Sequence, residues 1–154
     1  MELVLWRHAE AEPGEPDLGR RLTGKGEKQA RRMAEWLHAQ LPDSARVLVS
    51  PAARAQQTAK ALAELSPRKF KTVDPLGPGA GADDVLAAAG WPDGKATVVL
   101  VGHQPALGRV ASRLLAGAEL DWPIRKGAVW WISSRERAGH DQLVLRAVIS
   151  PDLI

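Results

Sequence analysis

Three short clusters in this chain combine residue types that handle phosphate. They are Arg7-His8, Ser50 with Arg54 four positions on, and Gly102-His103. Each follows an apolar run, respectively Leu3 to Trp6, Val47 to Val49 and Thr97 to Val101. Two imidazoles and two guanidiniums brought to one place suit a tetrahedral dianion. Arginine offers forked, charge-assisted hydrogen bonds, and nearby helix N-termini add partial positive charge. A neutral imidazole is also a competent nucleophile toward phosphorus, splitting hydrolysis into two easier transfers through a covalent intermediate. One histidine could attack while the other steadies the transferring oxygens. Arg7 and Arg54 would neutralise the equatorial charge of an in-line transition state, so no metal is required for that task, and they would repel a divalent cation.

The elements that must position these residues can be read from apolar spacing. Leu3 to Trp6 reads as a buried strand delivering Arg7 and His8 at its carboxyl end, followed by a loop from Ala9 to about Arg21. Thr23 is an N-cap candidate for an amphipathic helix over about Lys25 to Gln40, with Ala30, Met33, Ala34, Trp36, Leu37 and Leu41 on its apolar face. Val47 to Val49 forms a second strand, and Ser50-Pro51 predicts a capped helix running from Pro51 to about Leu65. A weaker strand near Phe70 to Val73 precedes a Gly and Pro rich loop, after which Asp83 or Asp84 caps a short helix through Ala89. Thr97 to Val101 is a further buried strand, and Pro105 opens a helix carrying Leu107, Val110, Ala111, Leu114 and Leu115. Ala128 to Ser133 and Leu143 to Ile149 read as two strands joined by a polar turn around Ala138 to Asp141. Strands alternating with helices predict an α/β fold. Its central sheet is mainly parallel with helices on both faces, and it ends in a partly antiparallel C-terminal strand pair. In such a sheet the carboxyl ends of the strands share one edge, so the three polar clusters can converge.

Composition narrows the alternatives. The 154 residues fit a single domain over 1–154, and 45% hydrophobic with 25% charged residues lies near the globular average. There is no cysteine, which excludes thiolate catalysis, disulfides and cysteine-ligated zinc. The formal charge of +3 is compatible with an anionic partner without selecting one. No run of five Lys or Arg occurs, so no nucleic-acid partner is expected, and no apolar run is long enough to span a bilayer. A cytoplasmic monomer without membrane attachment is the expectation.

Four segments in order carry a family resemblance: Arg7-His8-Ala9-Glu10-Ala11, Arg20-Arg21-Leu22-Thr23-Gly24-Lys25-Gly26, Val47 through Thr58, and Val101-Gly102-His103-Gln104-Pro105. Together they resemble the successive signatures of the histidine phosphatase superfamily, with its phosphoglycerate mutase-like fold, and in detail its short phosphohistidine phosphatases of the SixA type. The resemblance covers nearly the whole chain. It implies His8 as the nucleophile that carries the phosphoryl group, and Arg7, Arg54 and His103 as the phosphate pocket. Arg20 is a further substrate contact, chosen over Arg21 because Leu22-Thr23 follows at the family spacing. No cofactor is implied. The implied partner is a phosphorylated protein such as a histidine phosphotransfer domain in signalling.

Two departures from the family pattern matter. Ala9 stands where glycine usually follows the nucleophile, and a positive φ there would be strained by its Cβ. The acidic proton donor of larger relatives has no matching motif, since only Asp74, Asp83 and Asp84 lie in that region. That gap favours phosphohistidine, whose imidazole leaving group can already be protonated, over an alkyl phosphate, whose alkoxide needs a proton. The short loops predict a shallow, open pocket suited to a side chain presented on another protein. The alternatives are a small-molecule phosphomonoesterase, a phosphate-binding module without turnover, and a metallohydrolase using His8, His103 and carboxylates.

The remaining polar residues are assigned ordinary duties. His38 and His140 are incidental, and Glu10, Glu12 and Glu15 are solvated. Asp17, three residues before Arg20, orients that arginine, while Thr23 and Ser50 are caps. Gln57 and Thr58 are packing or supporting groups, and one of Trp130 and Trp131 is core while the other is surface. For His8 to attack, its other ring nitrogen must donate to a backbone carbonyl, which fixes the tautomer.

Overall fold

The computed structural model describes all residues, 1–154. Its elements in chain order are β1 (Glu2–Arg7), α1 (Gly24–Gln40), β2 (Arg46–Val49), α2 (Ala53–Leu65), β3 (Phe70–Thr72), α3 (Ala82–Ala89), β4 (Thr97–Gly102), α4 (Ala106–Ala116), β5 (Val129–Arg137) and β6 (His140–Ile149). The six strands form one sheet in the order β3-β2-β4-β1-β5-β6. The first four are mutually parallel, and β5 then runs antiparallel to both β1 and β6. No helix is long and apolar enough to cross a membrane.

The continuous apolar runs are explained by burial on both faces of the parallel strands. Leu3, Leu5, Leu48, Val98 and Leu100 face one way, into a core completed by Val85 and Leu86 of α3 and Leu107 and Val110 of α4. Val4, Trp6, Val47, Val49, Val99 and Val101 face the other way, against Met33 and Leu37 of α1 and Ala55 and Leu62 of α2. The two-residue period of a strand thus divides each run between two cores.

Strand register sets the site. Arg7 is opposite Gly102 and Val49 is opposite Val101, so β1, β2 and β4 end level with one another. The residues that follow them, His8, Ser50 and His103, emerge at the same sheet edge.

Several boundaries differ from the sequence expectation. The helix expected from Pro51 begins at Ala53, and its N-cap, Ala52, has no capping side chain. Ser50 is not that cap. It sits too far upstream, where its Oγ accepts from the Ala52 N–H at 3.1 Å and meets His103. Neither Asp83 nor Asp84 is the N-cap of α3. Gly81 is, and Asp84 accepts from its N–H at 2.9 Å from within the first turn. The C-terminal pair is longer than expected, with only Ala138 and Gly139 between its strands. Both have positive φ, 51° and 79°, as a type I′ two-residue hairpin turn requires. Thr23 does cap α1, accepting from the Gly26 N–H at 2.9 Å. Trp131 is buried and Trp130 half-buried.

Candidate active site

Arg7, His8, Arg20, Arg54 and His103 all line one cavity of about 230 Å³, together with Ala11, Pro78, Gly79, Gln104 and Lys126. Its titratable lining is therefore three arginines, a lysine and two histidines. The imidazole rings of His8 and His103 lie 5.0 Å apart between centroids.

His8 sits where β1 stops, its N–H donating to the Gly102 carbonyl at 3.1 Å. Its Nδ1 lies 2.7 Å from the carbonyl of Ala9. A carbonyl can only accept, so Nδ1 carries the proton and Nε2 keeps its lone pair. Burial pushes His8 down to about 4, helped by the charges of Arg54, Arg7 and Arg20 and opposed by the Ala9 carbonyl. The ring is neutral near pH 7 in consequence. Ala9 is buried and does not adopt a positive φ, so its Cβ is accommodated without backbone strain. Its N–H donates to Thr58 Oγ1 at 3.0 Å, and that hydroxyl donates to the Arg54 carbonyl at 2.7 Å. Thr58 ties the histidine turn to α2.

His103 lies where β4 ends, with Nε2 2.7 Å from Ser50 Oγ. Ser50 is fully buried, and its oxygen already accepts from Ala52. Satisfying its one hydroxyl proton leaves His103 Nε2 as the acceptor, so the His103 proton is on Nδ1. Burial first, then the neighbouring His8 and arginines, pushes His103 down to about 3, with Asp17 opposing.

The arginines are held by acceptors that aim them. Arg7 donates from Nη1 to the Ile124 carbonyl at 2.7 Å, while its Nε is buried with no acceptor from the protein. Burial lowers its pKa. Arg54 is only 4% exposed and donates to the backbone carbonyl and side chain of Asp17 at 2.8 and 3.2 Å. Arg20 bonds the other oxygen of Asp17 at 3.1 Å and donates through Nε to the Glu12 carbonyl at 2.8 Å. Hydrogen bonds from these two guanidiniums hold the Asp17 carboxyl below the usual range. Asp17 thus orients Arg20 as expected and also clamps Arg54. Arg21, by contrast, lies on a separate groove between α1 and α2.

Gln104 and Lys126 also line the cavity but were not singled out from the sequence. Gln104 lay inside the fourth motif, and it is fixed by donating to the Trp122 carbonyl and accepting from the Gly108 N–H, both at 2.8 Å. Lys126 arrives on a loop tied to β1, where Gly127 N–H donates to the carbonyls of Arg7 and His8 at 3.1 Å. No local pattern marks it. Asp74, Asp83 and Asp84 are not among the lining residues, and Asp83 pairs with Arg113.

The chain is similar in sequence and fold to known proteins. The family model for the histidine phosphatase superfamily, branch 1, matches residues 3–76. The phosphohistidine phosphatase SixA of Escherichia coli K12 is 31% identical over 122 residues, which is 76% of each chain. The structure of a protein histidine phosphatase SixA complexed with tungstate superposes with a TM-score of 0.82 at 28% identity, covering 99% of both chains. A phosphoserine phosphatase from Entamoeba histolytica, at 18% identity and a TM-score of 0.69 over 97% of each chain, shares the fold. Sequence and structure therefore agree that the chain belongs to the histidine phosphatase superfamily, on its SixA-type side, and is a phosphatase of that kind.

Proposed function

We propose that this phosphatase removes the phosphoryl group from phosphohistidine on a signalling or phosphotransfer protein, using His8 as the acceptor. The observation that carries the reading is the fixed tautomer of a neutral, buried His8, whose free Nε2 is the ring nitrogen left to the cationic cavity.

The phosphoryl oxygens would be held by Arg7, Arg54 and the Nδ1–H of His103, with Arg20 as an outer contact. Arg7 Nε, a buried donor without a protein acceptor, suits one of those oxygens, since leaving such a group unpaired costs about 1–3 kcal/mol. In the first step the lone pair on His8 Nε2 attacks phosphorus. The P–N bond to the substrate imidazole breaks, and the departing ring keeps that electron pair while its other nitrogen is already protonated. In the second step water attacks phosphorus, the bond to His8 Nε2 breaks, and phosphate and a proton are released. Charge spread over the equatorial oxygens in both steps is met by preoriented guanidiniums.

Leaving-group chemistry supports phosphohistidine over an alkyl ester. The cavity's titratable groups are cationic or neutral bases, and none is a carboxylic acid placed to protonate an alkoxide. A phosphorylated histidine phosphotransfer domain incubated with the protein should lose phosphate much faster with wild type than with His8→Ala. Equal rates would overturn the reading, and efficient turnover of para-nitrophenyl phosphate with none of the phosphoprotein would replace it with a small phosphomonoester.

A further inference from the structure

A second, larger cavity of about 490 Å³ lies beside the first, and Lys126 lines both. Its walls carry Lys25, Lys28 and Arg32 from α1 and Arg125 with Lys126 from the loop before β5, over a floor of Ser150 and Pro151. The three α1 cations stand three and four positions apart, so they form one stripe about 10 Å long. Like charges one turn apart repel, and α1 would be more stable without them.

The fold does not neutralise this stripe. None of the ion pairs within 4 Å involves Lys25, Lys28, Arg32 or Lys126. The two carboxylates in the groove are engaged locally. Glu10 accepts from the Thr23 hydroxyl at 2.8 Å, and Asp152 is bonded by Ser150 and lies 3.5 Å from Arg125. Five cations against two committed carboxylates leave a strongly positive groove that begins at the rim of the catalytic cavity.

We propose that this groove is the docking surface for the phosphorylated protein and that it takes an acidic patch beside the phosphohistidine. The proposal rests on the phosphoprotein reading above. A phosphoryl group presented to His8 brings its carrier's surface past Lys126 and onto the α1 stripe. Complementary charge there would raise encounter rate and fix orientation, while a small substrate that occupies only the catalytic cavity gains nothing from it.

The test compares two substrates on the full chain, phosphoramidate and a phosphorylated histidine phosphotransfer domain with an acidic surface. For Lys28→Glu/Arg32→Glu, kcat/KM on the phosphoprotein should fall about tenfold, mainly through KM, and its decline with added salt should become shallower. Phosphoramidate turnover should stay within about twofold, which also reports an intact fold. The neutral pair Lys28→Gln/Arg32→Gln should give a smaller loss of the same kind. Undiminished phosphoprotein turnover in both variants, or equal losses on both substrates with the fold intact, would overturn the docking surface alone. Wild type that turns over phosphoramidate but not the phosphoprotein would overturn the substrate reading and the docking surface with it.

Discussion

At the scale of single residues the account turns on two neutral imidazoles held in different ways. His8 is fixed by a carbonyl and His103 by the Ser50 hydroxyl. Because burial and nearby cations hold His8 near 4, the acid limb of kcat/KM for the free enzyme should lie below pH 5, well under the ordinary histidine value. An acid limb near 6.5 would show that His8 titrates as a solvated ring. Ser50→Ala should lower kcat about tenfold by freeing His103 to the other tautomer, with little change in KM. Arg54→Ala should cost about 10²–10³ in kcat, the loss typical of a donor aimed at transition-state charge. Steady-state kinetics on phosphoramidate checks both variants, and an unchanged kcat in either would remove that residue from the account. Much of this was legible because each residue sits in a recognisable motif at a strand end: Arg7 closes β1, His8 and His103 directly follow β1 and β4, and Arg54 lies in the first turn of α2 after β2. The second duty of Asp17 was not, since its bond to Arg54 spans 37 positions and leaves no local signature. Lys126 was hidden for the same reason.

At the scale of elements, close approach of backbones decides where side chains may grow. Gly108 lies inside α4, where alanine would ordinarily gain about 1 kcal/mol in helix propensity. A Cβ built there falls 1.8 Å from the Trp122 carbonyl oxygen and 2.9 Å from Gln104 Nε2. The clash outweighs propensity, so Gly108→Ala should destabilise by about 1–3 kcal/mol and reduce turnover by displacing Gln104 at the cavity wall. Thermal unfolding measures the first effect, and an increase in melting temperature would contradict it. The continuous apolar runs of β1, β2 and β4 and the 3.6-residue period of α1 made those elements easy to place from sequence. The ends of β5 and β6 were harder. Residues 135–142 are exposed, and β6 has a neighbour on one side only, so no apolar alternation marks where pairing begins. α2 starts later than Ser50-Pro51 implies because that pair looks like a cap locally, whereas Ser50 is committed to His103 across 53 positions.

At the scale of the whole molecule, the site is a store of charge and desolvation that folding must offset. In the unfolded chain histidine titrates near its ordinary value, while His8 and His103 are held down at about 4 and about 3. Between pH 6.5 and about 3 the unfolded state therefore binds more protons, so stability is full above about 6.5 and falls as the pH drops through that window. Melting temperature should decrease from pH 7 to pH 5 more steeply in wild type than in His8→Asn, and parallel curves would contradict the linkage. All of these follow from the proposed anion site on aligned strand ends, but the claim that His8 itself carries the phosphoryl group is the centre of the account. It is tested by mixing the enzyme with a phosphorylated histidine phosphotransfer domain labelled in its phosphoryl group, quenching rapidly in alkali, and locating the label by peptide mass spectrometry. The account predicts an alkali-stable, acid-labile phosphoryl group on His8, absent from His8→Ala. Turnover by wild type with His8 unlabelled throughout, or unchanged turnover by His8→Ala, would contradict it.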